Sequence, residues 1–292
     1  QALTITANGN LIISGAVGGG TDLSSYAVTT TGSASQTFSA NVETTGNQTY
    51  TAAGGIVTSG ARTFDSSGGT VNFASALSGN HNVTVTGNAD IDGAVTSIAV
   101  LSVSGTSNIG ADITTSGTQT YTGAVTLSAN VTLTSSGDVI TFSNTVNSAD
   151  STKRNLTITT GGSSVEINFD GIVGGSNSLG AIAITGVLDL NAAITNATSL
   201  SVSGASNVGA DVTTTSTQLY VGNLVLSAAD RTLEGSTVTT RGTITGAYAL
   251  TVTGNAVFGN SSGDDVVLTG TNKALAVSGT TTIETDTVTT SG

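Results

Sequence analysis

One segment of this sequence occurs twice in closely similar form. Residues 101–129 are LSVSGTSNIGADITTSGTQTYTGAVTLSA and residues 200–228 are LSVSGASNVGADVTTTSTQLYVGNLVLSA, which is identity at 19 of 29 positions without a gap. A third, weaker copy, ANVETTGNQTYT at 40–51, matches ADITTSGTQTYT at 111–122. Such self-similarity is typical of repeat architectures, in which each unit buries its apolar face against its neighbours. We therefore expect an array of repeated units.

A shorter motif lies inside the 99-residue unit. Strict alternation places Leu101 and Val103 on one face of a strand and Ser102 on the other. Glycines close these runs, and we expect them to supply the positive φ that corners require. The pattern apolar–x–apolar–x–Gly, whose neighbouring copies are 18 to 25 residues apart, occurs at 83–87, 101–105, 182–186, 200–204, 250–254 and 275–279.

A coil of about twenty residues with two or three short strands is the period expected of a β-solenoid. We predict an all-β protein, a right-handed parallel β-helix, because crossover connections favour that hand. The prediction covers residues 1–292 as a single continuous solenoid with a higher-order repeat of about 99 residues, clearest at 72–142 and 168–242. A β-sandwich array is the alternative, although the near-twenty spacing lacks the long variable loops of Greek keys.

The composition agrees with a chain made mostly of strands. It contains no Pro, Cys, Met or Trp, and Pro is the residue that central strands exclude. Charged residues are only 8%, so Thr, Ser, Asn and Gly must cover the surface. Without Cys there is no disulfide framework and no thiolate metal site. Because the chain starts at Gln1 and has no Met, we expect a fragment of a longer chain or a processed product.

The charge balance bears on partners. The formal net charge is −12, with six Lys and Arg in the whole chain. So few cations cannot neutralise a phosphate array, which argues against nucleic acid and anionic membranes as partners. No apolar run has transmembrane length, so we expect no membrane insertion by this segment.

Two consecutive runs carry a family resemblance. TTSGTQTYTGAVTLSANVTLTSSGDVITFSNTVNSAD (114–150) and RNLTITTGGSSVEINFDGIVGG (154–175) resemble the repeats of giant bacterial surface adhesins of the filamentous-haemagglutinin-like and autotransporter-like kinds. The resemblance covers most of the chain and fits residues 1–35 least well. It implies a secreted or surface-anchored bacterial protein with a β-helical shaft and a role in attachment, biofilm formation or cell–cell contact.

Candidate catalytic and metal-binding residues are few. Asp90 and Asp92 share a strand face by alternation, and Asp264 and Asp265 form the only adjacent pair of carboxylates. Acid–base catalysis and calcium binding both need several convergent ligands, so we interpret these carboxylates as solvated surface groups. His81, the only histidine, has no partner for a metal cluster and is expected in an exposed loop. We therefore expect no catalytic, cofactor-binding or metal site, no cofactor and no enzymatic activity.

Aromatic and threonine patterns allow two further interpretations. Tyr50, Tyr121 and Tyr220 each lie two residues after a Gln. They could form an aromatic platform for sugar rings, but we favour recurrent core aromatics. Threonines alternate at 118–122 and at 213–217, as in flat ice-binding solenoids. Thr also suits any exposed strand, and these rows are irregular.

The expected function follows from the repeat and the resemblance. We expect a structural shaft of a secreted bacterial surface adhesin, located at the cell surface, that contacts other cells, surfaces or matrix through regions outside this segment. The alternative is a protomer of a self-assembling extracellular filament or sheath that associates end to end or side by side. It is suggested by strand-like ALTIT at 2–6 and by a final TTTIETDTVTTSG without a polar cap. A polysaccharide-binding or polysaccharide-degrading β-helix is a third possibility.

Overall fold

The computed structural model describes residues 1–162 and 164–291, which wind into about 14 coils of roughly 21 residues. Every regular element among the described residues is a β-strand, and none of them is helical. The prediction of an all-β parallel β-solenoid is confirmed, whereas its right-handed sense stays a prediction. Backbone contacts divide the chain into two compact units, Gln1–Ser143 and Asn144–Gly292. The single continuous solenoid over 1–292 therefore also stays a prediction.

The first unit contains eighteen strands among its described residues. They are β1 (Ala2–Ala7), β2 (Leu11–Ile13), β3 (Ser25–Thr30), β4 (Gln36–Phe38), β5 (Val42–Thr44), β6 (Gln48–Ala52), β7 (Ile56–Thr58), β8 (Arg62–Phe73), β9 (Leu77–Ser78), β10 (Val83–Ile91), β11 (Val95–Ile98), β12 (Leu101–Val103), β13 (Ser107–Ile109), β14 (Ile113–Thr115), β15 (Gln119–Tyr121), β16 (Val125–Leu127), β17 (Val131–Ser135) and β18 (Ile140–Phe142).

The second unit contains seventeen strands in the part that the structure describes. They are β19 (Val146–Ser148), β20 (Arg154–Thr160), β21 (Glu166–Phe169), β22 (Leu179–Thr185), β23 (Val187–Leu190), β24 (Ile194–Val202), β25 (Ser206–Val208), β26 (Val212–Thr214), β27 (Thr217–Tyr220), β28 (Leu224–Leu226), β29 (Arg231–Thr240), β30 (Ile244–Gly246), β31 (Leu250–Phe258), β32 (Asp265–Leu268), β33 (Leu275–Val277), β34 (Thr281–Ile283) and β35 (Thr287–Thr289).

A short coil of the first unit consists of three strands joined by tight corners. After β12, β13 and β14, the chain returns as β15, which pairs in parallel with β12 and places Leu101 opposite Gln119. In the same way β16 pairs with β13, and Ser107 lies opposite Val125. Other coils are longer because their corners hold more residues. Gln119, for example, lies opposite Ile140 on the next coil.

The second unit is wound in the same way. Leu188 of β23 lies opposite Ser206 of β25, which in turn lies opposite Leu224 of β28. The number of residues from Leu188 to Ser206 equals the number from Ser206 to Leu224. The next step, from Leu224 to Ile244 of β30, is slightly longer. Each unit is thus a stack in which the backbone of one coil is hydrogen-bonded to that of the next.

Alternation along each strand separates an apolar interior from a polar exterior. Leu101 and Val103 are completely buried, and Ser102 between them is half-exposed. Leu200 and Val202 repeat this arrangement in the second unit. Full burial of one such side chain stabilises the fold by about 1.5–3 kcal/mol. The side chains of stacked coils therefore supply the cohesion that a single coil lacks.

The glycines that end the short motif form a column at one corner of the first unit. Gly87 has a φ of 105°, which side-chain-bearing residues rarely adopt. Gly105 and Gly123, stacked on it, lie outside the positive-φ region. A Cβ on Gly105 would lie 2.5 Å from the carbonyl oxygen of Gly87, and one on Gly123 would collide with the backbone of Gly105. The expected need for positive φ is thus confirmed at Gly87 and wrong at the other two, where close approach of the preceding coil requires glycine.

Candidate functional site

The Gln-x-Tyr motif belongs to a buried, hydrogen-bonded cluster of side chains, which we call the Gln–Tyr corner. In the first unit the Tyr121 hydroxyl donates to Oε1 of Gln119 at 2.9 Å. Nε2 of Gln119 donates to Oγ1 of Thr115 at 3.2 Å and to the Thr134 carbonyl at 2.8 Å. The Thr115 hydroxyl donates in turn to the carbonyl of Gly117 at 2.6 Å. Gln119 and Tyr121 are completely buried, so these bonds satisfy polar groups that water cannot reach.

Among the described residues this corner occurs three times. The same side chains recur at Thr44, Gln48 and Tyr50 in the first unit and at Thr214, Gln218 and Tyr220 in the second. Burial raises the pKa of each tyrosine in the three corners above the ordinary value. The interpretation of these tyrosines as core aromatics is confirmed. They are not available as a surface platform for sugar rings.

Sequence reasoning identified the tyrosines but missed their partners. The sequence does contain a pattern that identifies these partners, because the spacing Thr-x-x-x-Gln-x-Tyr is the same in all three copies. Inward parity also places Gln119 on the side of Tyr121. A buried glutamine costs free energy unless its amide is fully paired, so an inward Gln at a repeated position indicates a hydrogen-bonded corner.

On the outer face of the first unit, a carboxylate is held between two amides. Asn72, Asp90 and Asn108 occupy matching positions on three successive coils. Nδ2 of Asn72 donates to Oδ2 of Asp90 at 2.6 Å, and Nδ2 of Asn108 donates to Oδ1 of Asp90 at 2.8 Å. Asn72 also donates to Asp92 at 3.3 Å, which confirms that the two aspartates share a face. Asp90 lies on the outer face, as expected of a surface carboxylate, but it is half-buried and its pairing with two amides was not predicted.

A groove of about 430 Å³ lies beside this row of polar side chains. We call it the Asp90 groove. Oδ1 of Asn88 accepts hydrogen bonds from both the backbone N–H and the hydroxyl of Thr106, each at 2.9 Å. The small residues Ala89 and Ala124 lie in the lining beside them. The polar lining residues are Thr70, Asn88, Asp90, Thr106, Ser107, Asn108 and Thr126.

The second unit repeats the carboxylate but not the whole lining. Nδ2 of Asn207 donates to Oδ1 of Asp189 at 2.7 Å, as Asn108 does to Asp90. Nδ2 of Asn191 bonds the other oxygen of Asp189 at 3.1 Å. The residues 99 positions after Asn88, Thr106 and Thr126 are Val187, Ala205 and Val225. The second unit therefore keeps the carboxylate–amide pair and replaces three polar groups with apolar ones.

The remaining predicted residues lie apart from the Asp90 groove. His81 is exposed. The neighbouring Asp264 and Asp265 have different partners. The Ser261 hydroxyl donates to Asp264 at 3.1 Å, and the Thr287 hydroxyl donates to Asp265 at 2.6 Å. Among residues 1–162 and 164–291, no group of three or more His, Cys, Asp or Glu side chains is placed to hold a metal ion.

The threonine rows differ between the units. Thr120 lies in an outward column with hydroxyl residues of neighbouring coils, opposite Ser102 on one side and Thr141 on the other. In the second unit, Thr213 is in β26 and lies opposite Glu234, whereas Thr217 begins β27 and lies opposite Thr237. The 213–217 run is therefore divided between two strands and does not form one flat row.

The fold defines the chain as a β-solenoid. It matches no family model, no curated protein and no solved structure. No helix that could span a membrane occurs in the part of the chain that the structure describes.

Proposed function

We propose that this chain is a structural shaft of a secreted bacterial surface adhesin, supporting attachment, cell–cell contact or biofilm formation. The observation that carries the proposal is the regular register between coils, in which Leu101 lies opposite Gln119 and Leu188 lies opposite Ser206. A stack held by such a register can be lengthened coil by coil without changing its core. The proposal assigns mechanical support to the chain and no catalytic step.

The outer surface is also suited to this role. Outward strand positions such as Ser102 and Thr120 carry short hydroxyl side chains. The net charge of −12 favours solubility and disfavours nonspecific association between copies. Receptor contact would then be made by regions outside this segment.

The first experiment tests location. Antibodies raised against the folded chain should label intact, unpermeabilised cells that produce it, and brief protease treatment of those cells should remove the label. An antibody against a cytoplasmic protein of the same cells provides the control for integrity. Labelling that appears only after permeabilisation would contradict the proposal.

The second experiment tests mechanical support. Val103→Asp places a charge in the interior of a coil, so it should reduce attachment of the producing cells. The triple variant Thr84→Ala, Ser102→Ala, Thr120→Ala changes only an outward column and should leave attachment unchanged. If the folded triple variant abolished attachment, the hydroxyl face itself would be the adhesive surface, against the shaft proposal.

Association state tests the same proposal in solution. A shaft segment should sediment with one coefficient from micromolar to near-millimolar concentration. A coefficient that grows steadily with concentration would contradict this proposal and support a self-assembling filament.

A further inference from the structure

We propose that the Asp90 groove binds a segment of a neutral polysaccharide. This inference goes beyond the shaft role, since it gives the side of the first unit a direct contact with glycans. The groove volume of about 430 Å³ lies within the range of roughly 300–1,000 Å³ that is common for ligand sites. That space accommodates one or two sugar rings of a longer chain.

The carboxylate of Asp90 is preorganised to accept hydroxyl groups. Each of its oxygens accepts one hydrogen bond, from Asn72 on one side and from Asn108 on the other. A carboxylate oxygen has two acceptor positions, so each retains one for a ligand. Because the coil stack already fixes the side chain, little conformational entropy is lost on binding.

Donors lie beside these acceptors. Oδ1 of Asn88 is engaged by Thr106, which turns the amide so that both hydrogens on Nδ2 remain for a ligand. The amide of Asn108 uses one N–H for Asp90 and retains the other. A sugar hydroxyl both donates and accepts, and two vicinal hydroxyls can therefore bond to Asp90 and a neighbouring amide together.

The charge of the site selects among saccharides. The groove lining contains Asp90 and no Lys or Arg among its described residues. Asp92 lies close by, because Asn72 donates to both carboxylates. This field repels uronates, sulfated sugars and phosphorylated sugars, so the structure favours an uncharged chain.

The second unit shows which groups are specific to the groove. Asp189 and Asn207 reproduce the carboxylate–amide pair of Asp90 and Asn108, so that pair is explained by coil stacking alone. Val187 and Ala205 stand where the groove has Asn88 and Thr106. Since the repeat itself carries these replacements, Asn88→Val with Thr106→Ala should fold.

The test uses the full chain with neutral hexaoses of glucose, mannose and galactose as probes. Binding is followed through the side-chain amide resonances of Asn88 and Asn108 in nitrogen-15 spectra. At least one neutral hexaose should shift these resonances at concentrations up to about 10 mM, a range that covers weak affinities. Acidic hexaoses of galacturonate should not.

The variants decide the assignment. Asn88→Val with Thr106→Ala should weaken binding at least about tenfold, a change of roughly 1.4 kcal/mol, with an unchanged unfolding midpoint. Asp90→Asn should weaken it similarly, and the matched control Asp189→Asn in the second unit should leave it unchanged. The inference is overturned if no neutral hexaose binds, if only the acidic probe binds, or if the double variant binds as the parent does. These outcomes are independent of antibody labelling and sedimentation, so the two proposals can fail separately.

Discussion

The Tyr121 hydroxyl donates a 2.9 Å hydrogen bond to Oε1 of Gln119, and both side chains are completely buried. The amide nitrogen of the same glutamine donates to Thr115 and to the Thr134 carbonyl. Thr134 belongs to a later strand than Gln119, so the side chain ties neighbouring segments together. Buried polar groups are costly unless paired, and this corner therefore favours one packing of the coil over its alternatives.

Removing the hydroxyl should show the value of this bond. Tyr121→Phe leaves Oε1 of Gln119 buried without a donor, which should lower the free energy of unfolding by about 1–3 kcal/mol. Tyr248→Phe is the matched control, because Tyr248 is half-buried and lies under the ammonium group of Lys273. The free energy of unfolding of Tyr248→Phe should stay within about 0.5 kcal/mol of the parent value. Urea unfolding of both variants measures the difference. Equal losses of unfolding free energy in the two variants would contradict a stabilising role for the buried hydrogen bond.

Buried tyrosines make the fold sensitive to alkali. Burial raises the pKa of Tyr121 above the ordinary value of 10.0. Above pH 10 the unfolded chain releases the phenol proton and the folded chain keeps it, so stability falls as pH rises. Phenolate absorbance should therefore increase together with loss of the strand circular dichroism signal. Tyr121→Phe should reduce this pH dependence, and full phenolate formation in a chain that keeps its strand signal would contradict the burial.

The glycine column offers a steric test. A Cβ on Gly105 would lie 2.5 Å from the carbonyl oxygen of Gly87, whereas one on Gly20 would meet no atom within 4 Å. Gly105→Ala should thus destabilise the chain by about 1–3 kcal/mol, as expected for overpacking. Gly20→Ala, the same chemical change, should be nearly neutral. Thermal unfolding compares the two, and similar midpoints would mean that the coils are not stacked so closely.

The sequence revealed the period and the inside–outside pattern because both are local. Leu101, Ser102 and Val103 show their faces by alternation alone, and the repeat sets the coil length. The pairing of Asp90 with Asn72 and Asn108 could not be predicted, since it depends on the register between coils. The step along the chain from β12 to β15 is shorter than the step from β15 to β18, because the corners of the two coils hold different numbers of residues.

Neighbouring residues of one strand should differ sharply in their importance for stability. Leu101→Ala removes a completely buried side chain and should cost about 2–5 kcal/mol. Ser102→Ala changes an outward, half-exposed position, so it should change the free energy of unfolding by no more than about 0.5 kcal/mol. Chemical denaturation of each variant provides the comparison. A one-residue shift in register would exchange the two effects.

The most direct test of the stacked-coil structure is disulfide trapping. The chain has no cysteine, so no native thiol can compete with the introduced pair. Ser102 lies opposite Thr120, and Thr141 is the next residue of that outward column. Paired strands are about 4.8 Å apart, within the Cα separation that a disulfide bridges, whereas residues two coils apart exceed it. Under mild oxidation, peptide mass spectrometry should find an intrachain disulfide in Ser102→Cys with Thr120→Cys and none in Ser102→Cys with Thr141→Cys. Failure of the first pair to link, or equal linking of both pairs, would contradict the coil register.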